Sequence, residues 1–177
     1  MEPTILTRSG RYFDFTKPHE HDFVIEDIAD ALSNICRFNG HCPFYSVAQH
    51  SVAVSWLVPQ QYAMEGLMHD AAEAYLGDVT APLKMLLAQV YGPIEDATEA
   101  AIAKRFGLKE PKHPSIKVAD LGMLKLEHKK LFAKAEEWSI TRNIACAPDH
   151  LLQWTSGPSQ ARDMFLARYQ YLRDIGL

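Results

Sequence analysis

A chain of 177 residues with 47% hydrophobic side chains is long enough to bury about two-thirds of its unfolded surface, so it needs no disulfide staple. Its net charge of -4 and pI near 6.0 exclude a broadly basic face for nucleic acid, and an anionic substrate would need a local cluster of Lys and Arg. Three cysteines without CxxC spacing, no secretory-type opening run and no apolar stretch approaching ~18 residues point to a reducing cytoplasm and away from export or a membrane span. Without internal repeats or low-complexity tracts, residues 1–177 are expected to form a single domain.

Residues 1–24 show no helical period and carry Pro3, Gly10 and Pro18, which predicts an irregular arm with room for one short hairpin. His19 and His21 alternate in a polar run and read as solvated surface rather than as ligands. From Ile25 the pattern changes, with Ile25, Ile28, Ala29, Leu32, Ile35 and Cys36 at helical spacing behind the acidic first turn of Glu26 and Asp27. The first helix is expected to stop at Asn39-Gly40, with Arg37 and Phe38 in its last turn. A second helix, Ser46 to Val58, holds His50 one turn inside. Pro59 then opens a third, about Gln60 to Leu76, which packs through Ala63, Leu67, Ala71, Ala74 and Tyr75 and closes at Gly77.

That third helix carries His69-Asp70. A helix turns about 100° per residue, so the two cannot share one straight face, but both can lean toward an ion between their directions. Imidazole with carboxylate suits Mn, Fe, Co, Ni or Zn and disfavours a calcium cage of oxygens alone. His50 is the nearest further donor. Glu73 follows His69 by four residues and Asp70 by three, on their side of the helix, where a carboxylate is either plain surface or a proton donor to a leaving group. Asp78 falls in the turn after Gly77. Thr80 caps the next helix, with Pro82 near its start and Lys84 in its first turn, where a cation opposes the helix dipole and calls for an anion such as phosphate.

Pro93 starts another helix through Ile94, Ala97, Ala101 and Ile102 to Gly107. The loop LKEPKHPS follows, with His113 expected to be exposed. A helix from about Ser115 carries Asp120, with Lys117 one turn earlier as a ready intrahelical ion pair. It runs on through Leu124, Leu131 and Phe132 and puts His128 on its outer face. Residues 139–157 read as a loop with a short helix from Pro148. The last helix, Pro158 to Ile175, offers Phe165, Leu166, Tyr169 and Leu172 to the core or to a partner subunit.

The order H…HD…D made by His50, His69-Asp70 and Asp120 resembles the HD-domain phosphohydrolases. The likeness takes in Arg37-Phe38 ahead of His50, the HDAAE run with Glu73, the GDVTAPLK run with Asp78, Pro82 and Lys84, and the KVAD run ending at Asp120. These extras resemble the deoxynucleotide-cleaving branch of bacterial 5'-deoxynucleotidases and phage dATP triphosphohydrolases, and about residues 25–135 carry them. The resemblance implies an all-α fold, a compact bundle of about six to eight helices with the irregular arm at its start. It implies a divalent transition metal on His50, His69, Asp70 and Asp120, with Mg as a further ion on the substrate phosphates. It also implies Arg37 and Lys84 on phosphate, Pro82 beside them, Phe38 beside the nucleotide, Asp78 on the deoxyribose or attacking water, and a homo-oligomer. Phe38 stands where that branch has Trp, and it stacks without an indole donor; Gly40 leaves room near the base.

The expected reaction is metal-assisted phosphoester hydrolysis, with Glu73 serving the leaving oxygen. A deoxynucleoside triphosphate, adenine favoured, stands first, provided that Lys117 and the arm's Arg8, Arg11 and Lys17 hold the outer phosphates. If the arm packs elsewhere, Arg37 and Lys84 suit a monophosphate and the chain is a 5'-deoxynucleotidase. A module that binds nucleotides on the same metal without turnover is a further alternative, but it has no need of Glu73. Hydrolysis of guanosine polyphosphates or cyclic nucleotides is another, against which the Arg37-Phe38 and Asp78 matches argue.

Overall fold

In the computed structural model, which describes residues 2–132 and 136–177, the expected helical class is realised, and the only sheet among those residues is one hairpin. Strands β1 (Thr4–Leu6) and β2 (Tyr12–Asp14) pair antiparallel with Ile5 opposite Phe13, turning through Gly10 at φ +82°. The arm packs onto the first helix through the Asp27 carboxylate, which accepts from the Ser9 N–H and hydroxyl at 2.9 and 2.6 Å. His19 is exposed as expected, but His21 is not plain surface: its ring packs edge-on to Phe13 and Phe23, beside Tyr75.

Helix α1 (Ile25–Asn34) ends well before Asn39-Gly40. The Ser33 hydroxyl donates to the carbonyls of Ala29 and Asp30 and the Asn34 amide to that of Asp30, so polar side chains compete with the helical ladder. Ile35 is then extended, Cys36 bridges to Ser46, and the Arg37 N–H donates to Tyr45 O at 2.9 Å. Arg37 and Phe38 therefore leave the helix, and Phe38–Gly40 form one tight 3-10 turn.

Helix α2 (Val47–Leu57), capped by Ser46, is buried from Val47 to Ser55 and forms the centre on which α1 and the later helices pack. A helix apolar on all sides belongs in such a position. The expected third helix is broken into α3 (Ala63–Met68) and α4 (Glu73–Leu76), preceded by a 3-10 turn at Gln60–Tyr62. Gly66 allows α3 its close approach, because a Cβ there would lie 2.9 Å from Val58 and 3.3 Å from the Ser55 backbone.

The two helices expected between Thr80 and Gly107 are one, α5 (Ala81–Phe106), with Pro93 inside it. Proline removes the bond to the Gln89 carbonyl, and both residues are exposed, so that carbonyl is open to water. The first half of α5 exposes Leu83, Met85, Leu86, Leu87 and Val90. Helix α6 (Pro114–Leu131) is capped by His113, which stacks on Tyr62 at 3.7 Å and is half-buried rather than exposed. Phe132 stands just beyond its end, and His128 is buried, not outward. Short 3-10 turns at Ser139–Thr141 and Asp149–Leu152 lead to α7 (Pro158–Asp174), which packs against α1 and α2 and buries Phe165 and Leu172. Among the described residues no helix is long and apolar enough to cross a membrane.

Candidate metal and phosphate site

His50 is fully buried on α2, and its Nδ1–H donates to Glu127 Oε1 at 2.6 Å. In the neutral ring that bond fixes the tautomer and turns the Nε2 lone pair, 3.4 Å from Asp120 Oδ1 and 3.8 Å from Asp70 Oδ2, to the candidate ion position. His69 is set by a different device. Its Nδ1–H donates at 2.8 Å to Gly66 O, the carbonyl that the Asp70 N–H would take in an uninterrupted helix. The chain tightens instead into a turn, with Ala71 N–H on Met68 O and Glu73 N–H on Asp70 O. One bond thus orients the imidazole and breaks the helix, and Asp70 Oδ2 comes to lie 3.2 Å from His69 Nε2.

The Nε2 atoms of both histidines are buried without a hydrogen-bond partner, a costly arrangement for polar groups unless something binds them. His50, His69 and Asp120 offer ligand atoms within 4.8 Å of one another, and Asp70 touches both imidazoles. One ion with bonds of about 2.1 Å accepts ligands up to about 4.2 Å apart, so a slight contraction closes the set. His50, His69 and Asp120 fit a divalent ion of the imidazole-and-carboxylate class, and Asp70, against both imidazoles, is the candidate fourth donor.

The electrostatics agree. Burial and the Arg37 charge oppose a charged His50, yet Glu127 and Asp120 push it up to about 9, so the field at this place favours a cation. Asp120 is held well below the usual carboxylate range by His50 despite its burial. Glu127, fully buried on α6, is lowered to about 2 against desolvation by Arg37 and His50. Its Oε2 accepts from Arg37 Nη2 at 3.0 Å, while Arg37 Nη1 lies 3.7 Å from Asp70 Oδ2. Despite burial, the Arg37 guanidinium is kept charged by Glu127 and Asp70.

Glu73, at the start of α4, is buried, with Oε1 3.7 Å from Lys84 Nζ and Oε2 unpartnered. Burial, then Asp70 and Asp78, push its carboxyl well above the ordinary range, against the opposing charge of Lys84. Asp78 is raised by burial and feels Arg37, Asp70, Lys84 and His50, which places it on the same cluster. Lys84 also binds Glu95 at 2.6 Å. Lys117 is exposed and pairs with Asp120 Oδ2 at 2.7 Å, the intrahelical contact foreseen from the spacing.

Other residues stand apart from the cluster. Pro82 is exposed on the first turn of α5. Gly40 sits at φ +76°, a conformation that strains other residues, and a Cβ there would meet no protein atom within 4 Å. The arm's cations are engaged elsewhere: Arg8 with Asp30, Arg11 with Asp22 and Lys17 with Glu20. A cavity of about 480 Å³ reaches the cluster only through His69, and its polar lining is Asp96, Glu99 and Lys112, already paired with one another.

Sequence reasoning missed Glu127. It follows Asp120 by seven residues, two helical turns, so the shared face of α6 was the available signal.

No protein-family model matches the chain. Over 173 residues it is 43% identical to the uncharacterized protein YfdR of Escherichia coli (strain K12), covering 97% of this chain and 96% of that one. Over 185 residues it is 33% identical to the uncharacterized protein RCAP_rcc00048 of Rhodobacter capsulatus, covering 93% and 92%.

Proposed function

The chain belongs to the family of Escherichia coli YfdR, and from the site we propose that it is a metal-dependent phosphohydrolase of the HD type acting on deoxynucleotides. One observation carries the proposal: two buried, unpartnered Nε2 atoms converge with Asp70 and Asp120 beside a buried arginine and a buried Glu73 whose Oε2 has no partner. A divalent transition ion held by His50, His69, Asp70 and Asp120 would supply a Lewis acid for the phosphoryl group and acidify a water toward neutral pH.

The chain's own groups perform the rest. Arg37, oriented by Glu127, neutralises charge on the phosphoryl oxygens. Glu73 hands its proton to the leaving 5' oxygen, and Lys84 beside it steadies the carboxylate that remains. Asp78 accepts a hydrogen bond from the sugar. Glu73 also separates hydrolysis from mere sensing, because a binding module gains nothing from burying an acid there.

The cations bear on substrate size. Arg8, Arg11 and Lys17 pair on α1 and on the arm itself and Lys117 is exposed, so Arg37 and Lys84, each 3.7 Å from a carboxylate of the cluster (Asp70 and Glu73), are the least exposed cations beside it. Two cations suit a monophosphate, so 5'-deoxynucleotidase activity stands ahead of triphosphohydrolysis. The test is turnover of deoxynucleoside mono- and triphosphates by Mn-, Co- and Zn-loaded protein, with products separated. Glu73→Gln should keep the metal and lose about 10²- to 10⁴-fold in kcat. Metal-loaded protein inert on the whole panel would refute the proposal; nucleotide binding without turnover would favour the sensing module.

A further inference from the structure

We infer that the nucleobase of the substrate is received by an aromatic wall of Phe38, Phe132 and Trp138, backed by His128. The inference rests on the phosphohydrolase proposal for its substrate class, but it is carried by separate observations.

Residues far apart in the chain meet here. The Phe38 ring lies edge-on to Phe132 at 5.1 Å and 5.8 Å from Trp138, and Phe132 lies 5.7 Å from Trp138. The core phenylalanines Phe13, Phe23 and Phe165 are 0–1% exposed, whereas all three rings of the wall keep part of their surface open. They lie outside the fully buried core, and partly exposed aromatic rings are what a planar base stacks on.

The wall adjoins the phosphate cation. The Arg37 guanidinium carbon stands 5.2 Å from the Phe38 ring centroid, and its Nη1 is 3.7 Å from the metal-site carboxylate Asp70. In a nucleoside 5'-phosphate only the sugar separates phosphate from base, so the base of a phosphate held on Arg37 is within reach of this wall. The backbone is bent to make the juxtaposition: Phe38 sits at φ +56°, followed by Asn39 at +51° and Gly40 at +76°. A bulky residue in the left-handed region is strained and persists only where its surroundings hold it.

His128 supplies the independent pointer to a polar ligand. It follows Glu127 on α6, is 8% exposed, packs against Trp138 at 4.5 Å, and its Nε2 is buried without a partner. A base edge, with donors and acceptors in one plane, satisfies such an atom; a purely apolar occupant does not. Stacking is tolerant of base identity, so the site should distinguish base from no base more sharply than one base from another.

The test compares kcat/KM for dAMP with that for deoxyribose 5-phosphate in metal-loaded wild type, Trp138→Ala and Trp138→Phe. Wild type should prefer dAMP, and Trp138→Ala should shrink that preference by roughly 5- to 150-fold, while Trp138→Phe, which keeps a stacking ring, restores most of it. An unchanged preference in a folded Trp138→Ala overturns the inference and leaves the phosphohydrolase proposal standing. A second arm needs no turnover: in the Trp56→Phe/Trp154→Phe protein, Trp138 fluorescence is titrated with deoxyadenosine. If neither phosphate is cleaved, the phosphohydrolase proposal fails and this titration decides the wall, saturable quenching supporting it and its absence overturning it.

Discussion

Glu127 joins the candidate metal site to the buried Arg37, and Glu127→Gln removes its charge while keeping its shape. The carboxylate is fully buried between His50 and Arg37 at 2.6 and 3.0 Å, and its proton affinity falls from the ordinary 4.5 to about 2. At about 1.4 kcal/mol for each tenfold in proton affinity, this amounts to roughly 3 kcal/mol of folding stability at neutral pH. Breaking one partner out of a buried ion pair costs about 3–5 kcal/mol by mutation, so the two magnitudes agree. The sign follows from the lowered value. The contribution is complete above the ordinary carboxylate range and is lost as pH falls through about 2. Urea unfolding in the presence of a chelator should show the variant about 3 kcal/mol less stable at pH 7, with the gap closing steadily in acid. Calorimetric titration with Mn or Co should show metal affinity weakened about 10- to 100-fold, as for other lost partners of a ligating histidine. A gap that is the same at low and neutral pH, or unchanged metal affinity, would show that Glu127 acts through neither His50 nor Arg37.

Asp120→Asn should reduce bound metal at least about tenfold on dialysis while the protein stays folded, because an amide replaces an anionic ligand; full metal retention would remove Asp120 from the ligand set. Gly77 sits at φ 78°, ψ 159°, where a Cβ meets no neighbour, so Gly77→Ala carries a purely backbone cost of about 1–3 kcal/mol in denaturant unfolding. A loss below about 0.5 kcal/mol would contradict that. Leu86 and Val90 on α5 are 85% and 72% exposed, and light scattering should find the wild type associated and Leu86→Glu/Val90→Glu monomeric. A monomeric wild type at high concentration sinks this expectation, which the sequence had placed on the aromatics of the last helix.

Legibility followed physical locality. Helices α2, α6 and α7 were readable because period, cap and stop agree, as with Ser46 accepting from the Gln49 N–H. The convergence of His50, His69 and Asp120, with Asp70 beside them, was readable as an ordered pattern. What escaped were places where side chains override the local pattern. Ser33 and Asn34 end α1 early by turning back on its carbonyls, which moves Arg37 out of a helix end and into the site. His69 breaks its helix by taking the Gly66 carbonyl, and no propensity reports that. Pro93 read as a start and proved to lie inside α5, because an exposed proline leaves only a carbonyl for water to satisfy. The packing of Trp138 on Phe38 and on His128 was invisible because it joins residues up to a hundred positions apart.

Helix α5 has one more consequence. At ~1.5 Å per residue its 26 residues span roughly 39 Å, and its closest packing is against the Pro18–Glu20 turn. Lys84, whose charge opposes protonation of Glu73 from 3.7 Å, rides on the half whose leucines are uncovered. The cation that faces Glu73 and the uncovered apolar side chains therefore share one stretch of helix, and whatever covers Leu86 and Val90 would bear on the backbone that carries Lys84.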